Sequence, residues 1–135
     1  MLDKMTLHPL SDLHIRDVHT LIAPSALKEL YPVPAVSNET VYTGREAVKA
    51  VLQGTDSRLL GIVGPCSIHS RASALDYASR LKALQEKVSD TMLLLMRVYF
   101  EKPRTILGWR GMITDPDLDG SYRIEKGLKQ AREIL

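Results

Sequence analysis

Residues 92–105 read MLLLMRVYFEKPRT, and this stretch decides the fold. Five apolar residues, Met92 to Met96, lead into Arg97, Val98, Tyr99 and Phe100, then into Glu101, Lys102, Pro103, Arg104 and Thr105. The apolar run predicts a buried strand, and the cluster after it sets cations abruptly at the strand's end. A charge taken into an apolar interior is costly unless paired, so Arg97 needs an anionic partner or an edge open to water. A bound anion satisfies that need.

Just upstream, Leu59, Leu60, Gly61, Ile62 and Val63 form a second apolar run without alternation, the pattern of a strand buried on both faces. Gly64 and Pro65 break it. Between the two runs, Ala74, Leu75, Ala78, Leu81, Leu84 and Val88 fall on one side of a helix, with Arg71, Asp76, Arg80, Lys82, Glu86 and Lys87 largely on the other. Strand, helix, strand predicts two parallel neighbours joined by a right-handed crossover. Further upstream, Val41, Val48, Val51 and Leu52 predict a helix from Asn38 that stops at Gly54. A short helix with Pro24 in its first turn ends at Tyr31, because Pro32 and Pro34 cannot continue it. Residues 1–22 show no clean period. Downstream, the long segment 106–123 contains Gly108, Trp109, Gly111, Asp115, Pro116, Asp117, Asp119 and Gly120. Loops of this length are functional or disordered, and Trp109 and Tyr122 argue against plain disorder. Ile124, Leu128, Ala131 and Leu135 are spaced for one face of a closing helix.

The class is therefore α/β. Only two good strands are counted, whereas an α/β barrel takes about 250 residues, so the pattern looks unfinished. At 135 residues, 44% hydrophobic and 25% charged, the chain matches one ordinary soluble domain. A net charge of +2 is too small to argue for nucleic acid or an anionic membrane. The single cysteine excludes an internal disulfide and fits a reducing compartment. No signal-peptide-like segment and no run near the ~20 apolar residues of a membrane helix is present, so a cytoplasmic location is expected.

Chemistry is expected at the carboxyl ends of the two strands, where parallel α/β folds bind ligands. At the first lies Gly64-Pro65-Cys66-Ser67-Ile68-His69. Cys66 as thiolate suits a borderline metal, although free cysteine more often packs as a small hydrophobe. His69 either assists it or only holds the turn. At the second lie Arg97, Lys102 and Arg104, three cations within eight residues, which suit a small, multiply charged substrate. For Lys102 and Arg104 simple solvation is an equal reading. No Walker lysine loop, dinucleotide glycine fingerprint, Cys-x-x-Cys pair or His-Glu-x-x-His occurs.

Together, GPCSIH ending one strand and MRVYFEKPRT ending the next, with GW and a DP-rich loop after, closely resemble the 3-deoxy-D-arabino-heptulosonate-7-phosphate (DAHP) synthases. The family is also called phospho-2-dehydro-3-deoxyheptonate aldolase, and the resemblance runs from about Leu21 to Leu135 within its aromatic-amino-acid-regulated branch. It implies a (β/α)8 TIM barrel that condenses phosphoenolpyruvate with erythrose 4-phosphate and releases phosphate, at the start of the shikimate pathway. By resemblance, Cys66 is a ligand of the catalytic divalent metal (manganese, iron, cobalt or zinc). Arg97 and Lys102 contact phosphoenolpyruvate, Pro103, Arg104 and Thr105 hold erythrose 4-phosphate, and Lys102 is the candidate proton donor to the developing alkoxide. The metal would act on the aldehyde oxygen of erythrose 4-phosphate as a Lewis acid.

The family's other metal ligands, a His, a Glu and an Asp, lie on later strands beyond Leu135. The expectation is an amino-terminal piece of the barrel, with residues 1–55 as a helical extension and 56–135 as the first βα units. That extension is expected to serve subunit contacts in a homodimer or homotetramer and, with residues outside the chain, feedback control. The wording DPDLDGSY is reminiscent of the tryptophan-sensitive type. Alone, the chain is expected to be inactive and poorly folded. Two rivals remain: a non-catalytic remnant that binds anions or associates with full-length subunits, and an RNA-binding module using Lys102, Arg104, Trp109 and Arg110, which the small net charge and single tryptophan disfavour.

Overall fold

A computed structural model describes residues 10–104 and 106–135. Its elements run α1 (Pro24–Leu30), α2 (Ala35–Leu52), β1 (Leu59–Val63), α3 (Arg71–Val88), β2 (Met92–Met96) and α4 (Ile124–Ile134). The strands pair in parallel, Leu59 opposite Met92 through Val63 opposite Met96. The predicted strand–helix–strand unit is present. Gly61 faces Leu94 across the pair, where a Cβ would stand 2.8 Å from the leucine's Cδ2.

Each helix has a local cause. Pro24 occupies the first turn of α1, where its missing N–H costs nothing. The helix predicted from Asn38 begins three residues earlier, at Ala35, because Pro34 fixes an extended turn from which the next residue can start the helix. Ser70 caps α3, its hydroxyl accepting from the Ser73 N–H. The acidic and basic residues on α3 stay in water, and Ala74 is its one buried residue.

The prediction that the first strand is buried on both faces fails. Leu59 and Ile62 are 69% and 65% exposed, and β2 is half-buried along its whole length. The reason is the number of layers: a buried parallel strand needs a cover on both faces, and the described residues build only two strands. The core lies instead beyond the strand ends. Ile68, Ala74 and Met112 are its buried members, with Met96, Val98, Phe100, Trp109 and Ile134 packed against them.

The segment 106–123 is held by hydrogen bonds from Trp109 to Gly120. Met112 N–H donates to Phe100 O at 2.9 Å and Lys102 N–H to Arg110 O at 2.9 Å, around an antiparallel bridge between Glu101 and Gly111. Gly111 has φ +122°, and a Cβ there would collide with Phe100 O. The Trp109 indole N–H donates to Asp115 O at 2.7 Å, and the Asp115 carboxylate accepts the Gly120 N–H at 3.2 Å. α4 closes over this loop, with Gly127 against Ile113 and Ala131 buried. Arg132 Nε donates to Tyr31 O at 2.9 Å, tying the end of α1 to α4.

Candidate active site

The parallel register places the last residues of β1 and β2 side by side, so the two motifs that follow them must meet. Arg97 N–H continues the ladder to Val63 O at 2.7 Å, and Ile68 N–H donates to Tyr99 O at 2.7 Å. Gly64 permits this approach: a Cβ on it would lie 2.6 Å from Arg97 O.

Three of the expected residues converge here. Arg97 Nη1 donates to Pro65 O at 2.9 Å and Cys66 O at 2.7 Å, and its guanidinium lies over the Tyr99 ring, 4.6 Å from the centroid. Lys102 Nζ stands 3.2 Å from Cys66 Sγ. Of the two expectations for Arg97, an anionic partner or an edge open to water, the second is met: it is exposed just past the end of β2. Two backbone carbonyls orient it. Among the described residues Nη1 carries these bonds, and Nε and Nη2 carry none.

The thiol's environment is cationic. The Lys102 ammonium on its sulfur, aided by the charges of Arg97 and Arg104, holds the Cys66 pKa below the ordinary thiol value. The cysteine is exposed, which overturns the alternative that it packs as a small buried hydrophobe. It fits a single thiolate ligand of a divalent metal. A catalytic metal takes about three protein ligands, and no group of three His, Cys, Asp or Glu is gathered among the described residues. The described residues therefore do not complete a metal site. His69 is exposed in the turn before Ser70 and joins no such group.

Beside the pair is an open concavity of about 370 Å³, lined by Glu101, Lys102, Pro103, Arg104, Arg110 and Thr114. It gathers three of the expected substrate residues, while Thr105 lies outside the described residues. Thr114 is an addition, and the sequence groups Arg110 with Lys102 and Arg104 only in the RNA-binding alternative. The glycines near Arg110, Gly108 and Gly111, mark the chain reversal that brings it beside Lys102. Arg104 Nε reaches Trp109 O at 3.5 Å, a long bond that leaves the guanidinium at the rim. A larger concavity, about 730 Å³ between residues 19–21 and the start of α4, contains none of the strand-end residues.

The chain is similar to known proteins of one family. The model of the DAHP synthetase I family matches residues 33–133. A phospho-2-dehydro-3-deoxyheptonate aldolase of Amycolatopsis methanolica is 52% identical over 118 residues, covering 87% of this chain and 58% of the relative. The tyrosine-sensitive phospho-2-dehydro-3-deoxyheptonate aldolase of Escherichia coli K12 is 46% identical over 126 residues, covering 93% of this chain and 35% of the relative. A solved phospho-2-dehydro-3-deoxyheptonate aldolase from Francisella tularensis superposes with a TM-score of 0.84 at 46% identity, over 89% of this chain and 35% of that one. The chain thus spans 35% to 58% of the length of these relatives. With both strand-end motifs inside the matched span, the chain belongs to the DAHP synthetase I family.

Proposed function

We propose that this chain carries the strand-end half of a DAHP synthase active site. The reaction joins phosphoenolpyruvate, erythrose 4-phosphate and water to give DAHP and phosphate. The observation that supports it most is the meeting of Cys66 and Lys102 across the ends of β1 and β2, with Arg97 clamped beside them.

In this reading Arg97 and Lys102 receive the carboxylate or phosphate of phosphoenolpyruvate, where charge-assisted bonds hold the nucleophilic carbon in place. Pro103, Arg104 and Thr105 shape the subsite for the phosphate of erythrose 4-phosphate. Lys102 is the candidate to protonate the alkoxide formed at the aldehyde carbon. Cys66 contributes one thiolate to a divalent metal whose other donors lie outside the described residues; when bound, such a metal polarises the aldehyde. The parallel βα unit is read as the start of a (β/α)8 barrel, preceded by an extension over residues 1–55 that serves subunit contacts in a homo-oligomer. No helix among the described residues is long and apolar enough to cross a membrane, and a cytoplasmic location belongs to the same proposal.

The test is calorimetric titration of the chain with phosphoenolpyruvate. Each charged hydrogen bond lost is worth about 1.5–3 kcal/mol, so Arg97→Ala and Lys102→Ala are each expected to weaken binding about tenfold or more. Binding that neither substitution changes would refute the assignment. With both substrates and a divalent metal supplied, this chain alone is expected to release no phosphate.

A further inference from the structure

We propose that Cys66 and Lys102 form an oxidant-responsive covalent site, in which a peroxide couples Sγ to Nζ through a sulfur–nitrogen bond. The two atoms are already 3.2 Å apart. Both partners are held in place from their backbones: Cys66 by the Arg97 guanidinium on its carbonyl, Lys102 by its N–H bond to Arg110 O. The sulfur is exposed to a small oxidant. No second cysteine lies among the described residues, and the nucleophile in contact with the sulfur is the lysine amine.

The steps balance. Cys66 thiol attacks hydrogen peroxide; an S–O bond forms, the O–O bond breaks, two electrons pass from sulfur to peroxide, and one water leaves. The unprotonated Lys102 amine then attacks the sulfenic sulfur; an S–N bond forms, the S–O bond breaks, and the departing hydroxide takes the amine proton as a second water. The chain has lost two hydrogens. An external dithiol reverses this, returning thiol and amine while it becomes a disulfide. Coupling removes a thiolate and a cation from the strand ends together, and shields the sulfur from irreversible oxidation to sulfinic acid. The inference does not depend on the synthase reading.

The test is peroxide treatment of the full chain without metal, followed by intact-mass and peptide mass spectrometry. The expected product is a monomer two hydrogens lighter, with a linked peptide pair containing Cys66 and Lys102, restored by dithiothreitol. Lys102→Arg keeps the positive charge but replaces the amine, and is expected to gain two oxygens at Cys66 instead. A main product that carries extra oxygens or is a disulfide dimer in the unsubstituted chain overturns the proposal. So does a two-hydrogen loss that persists in Lys102→Arg, since the bond would then be to a backbone nitrogen.

Discussion

Lys102 Nζ lies 3.2 Å from Cys66 Sγ, so the ends of β1 and β2 are joined by a charge-assisted contact as well as by the sheet. The contact stabilises the anionic form of the sulfur and thereby lowers its pKa. Alkylation follows the thiolate fraction. The pH at which Cys66 reacts with iodoacetamide at half its maximal rate is expected below the ~8.5 of an ordinary thiol. Lys102→Met removes the first cause of the shift and should move that midpoint upward, leaving only the weaker pull of Arg97 and Arg104. A midpoint unmoved by the substitution would show that the lysine does not act on the sulfur.

Gly64 sets how closely the two strand ends approach. A methyl group there would lie 2.6 Å from Arg97 O and 3.1 Å from Arg97 N, both fixed backbone atoms. Gly64→Ala must push the Arg97 segment away and strain its 2.7 Å bond to Val63 O. Overpacking of this kind costs about 1–3 kcal/mol, to be read from urea unfolding. Phosphoenolpyruvate affinity should fall with it, because Arg97 moves relative to Cys66. A stable variant with unchanged affinity would show that Gly64 does not set the approach of the strand ends.

Local signals made the order of elements readable, and long-range ones did not. Pro24, Pro32 and Pro34 bound α1, and the two apolar runs with the amphipathic helix between them specify the parallel pair. The same apolar runs misled on burial. Leu59 and Ile62 are written for an interior, but burial depends on what covers them, which a strand's own residues do not encode. Arg97 meets the expected alternative of an edge open to water, because the strand ends one residue before it. At the candidate site, the motifs gave the residue types. That Cys66 touches Lys102, 36 positions away, follows from the register and from no local feature.

Asp56 and Arg58 brace the start of β1. Arg58 Nη2 is 2.6 Å from Asp56 Oδ2, and its Nη1 donates to Ser89 O at 3.2 Å across the turn that leads to β2. The arginine's side-chain bond holds the Asp56 carboxyl below its ordinary pKa. A carboxylate depressed in the folded state stabilises it fully above the unfolded pKa, about 3.9, and loses that contribution as pH falls through the lower folded value. The stability difference between the unsubstituted chain and Asp56→Asn should therefore be constant near neutrality and shrink below about pH 4. Urea unfolding at several pH values measures it, and a difference that grows toward acid pH would contradict the assignment.

Gln85 closes the side of β2 that faces away from β1. Leu59 N–H bonds to Thr91 O and Arg97 N–H to Val63 O, so odd-numbered residues of this stretch point toward β1. By the alternation of a parallel ladder, Met92 and Leu94 point outward. Those outward groups are the ones Gln85 takes from α3: its Nε2 donates to Met92 O at 3.0 Å, and its Oε1 accepts the Leu94 N–H. The amide thus does for one residue pair what a neighbouring strand does along its whole length, and it shields part of an edge that would otherwise recruit another chain. Gln85→Leu keeps the bulk but leaves both backbone groups half-buried without a partner. The expected cost is about 1–3 kcal/mol in urea unfolding, accompanied by concentration-dependent association in light scattering. Gln85→Glu retains an acceptor for Leu94 N–H but places a carboxylate against Met92 O. Its stability should fall at neutral pH and recover in acid, where the protonated acid can donate again. Equal stability of all three forms across pH would mean that water, not α3, satisfies this edge.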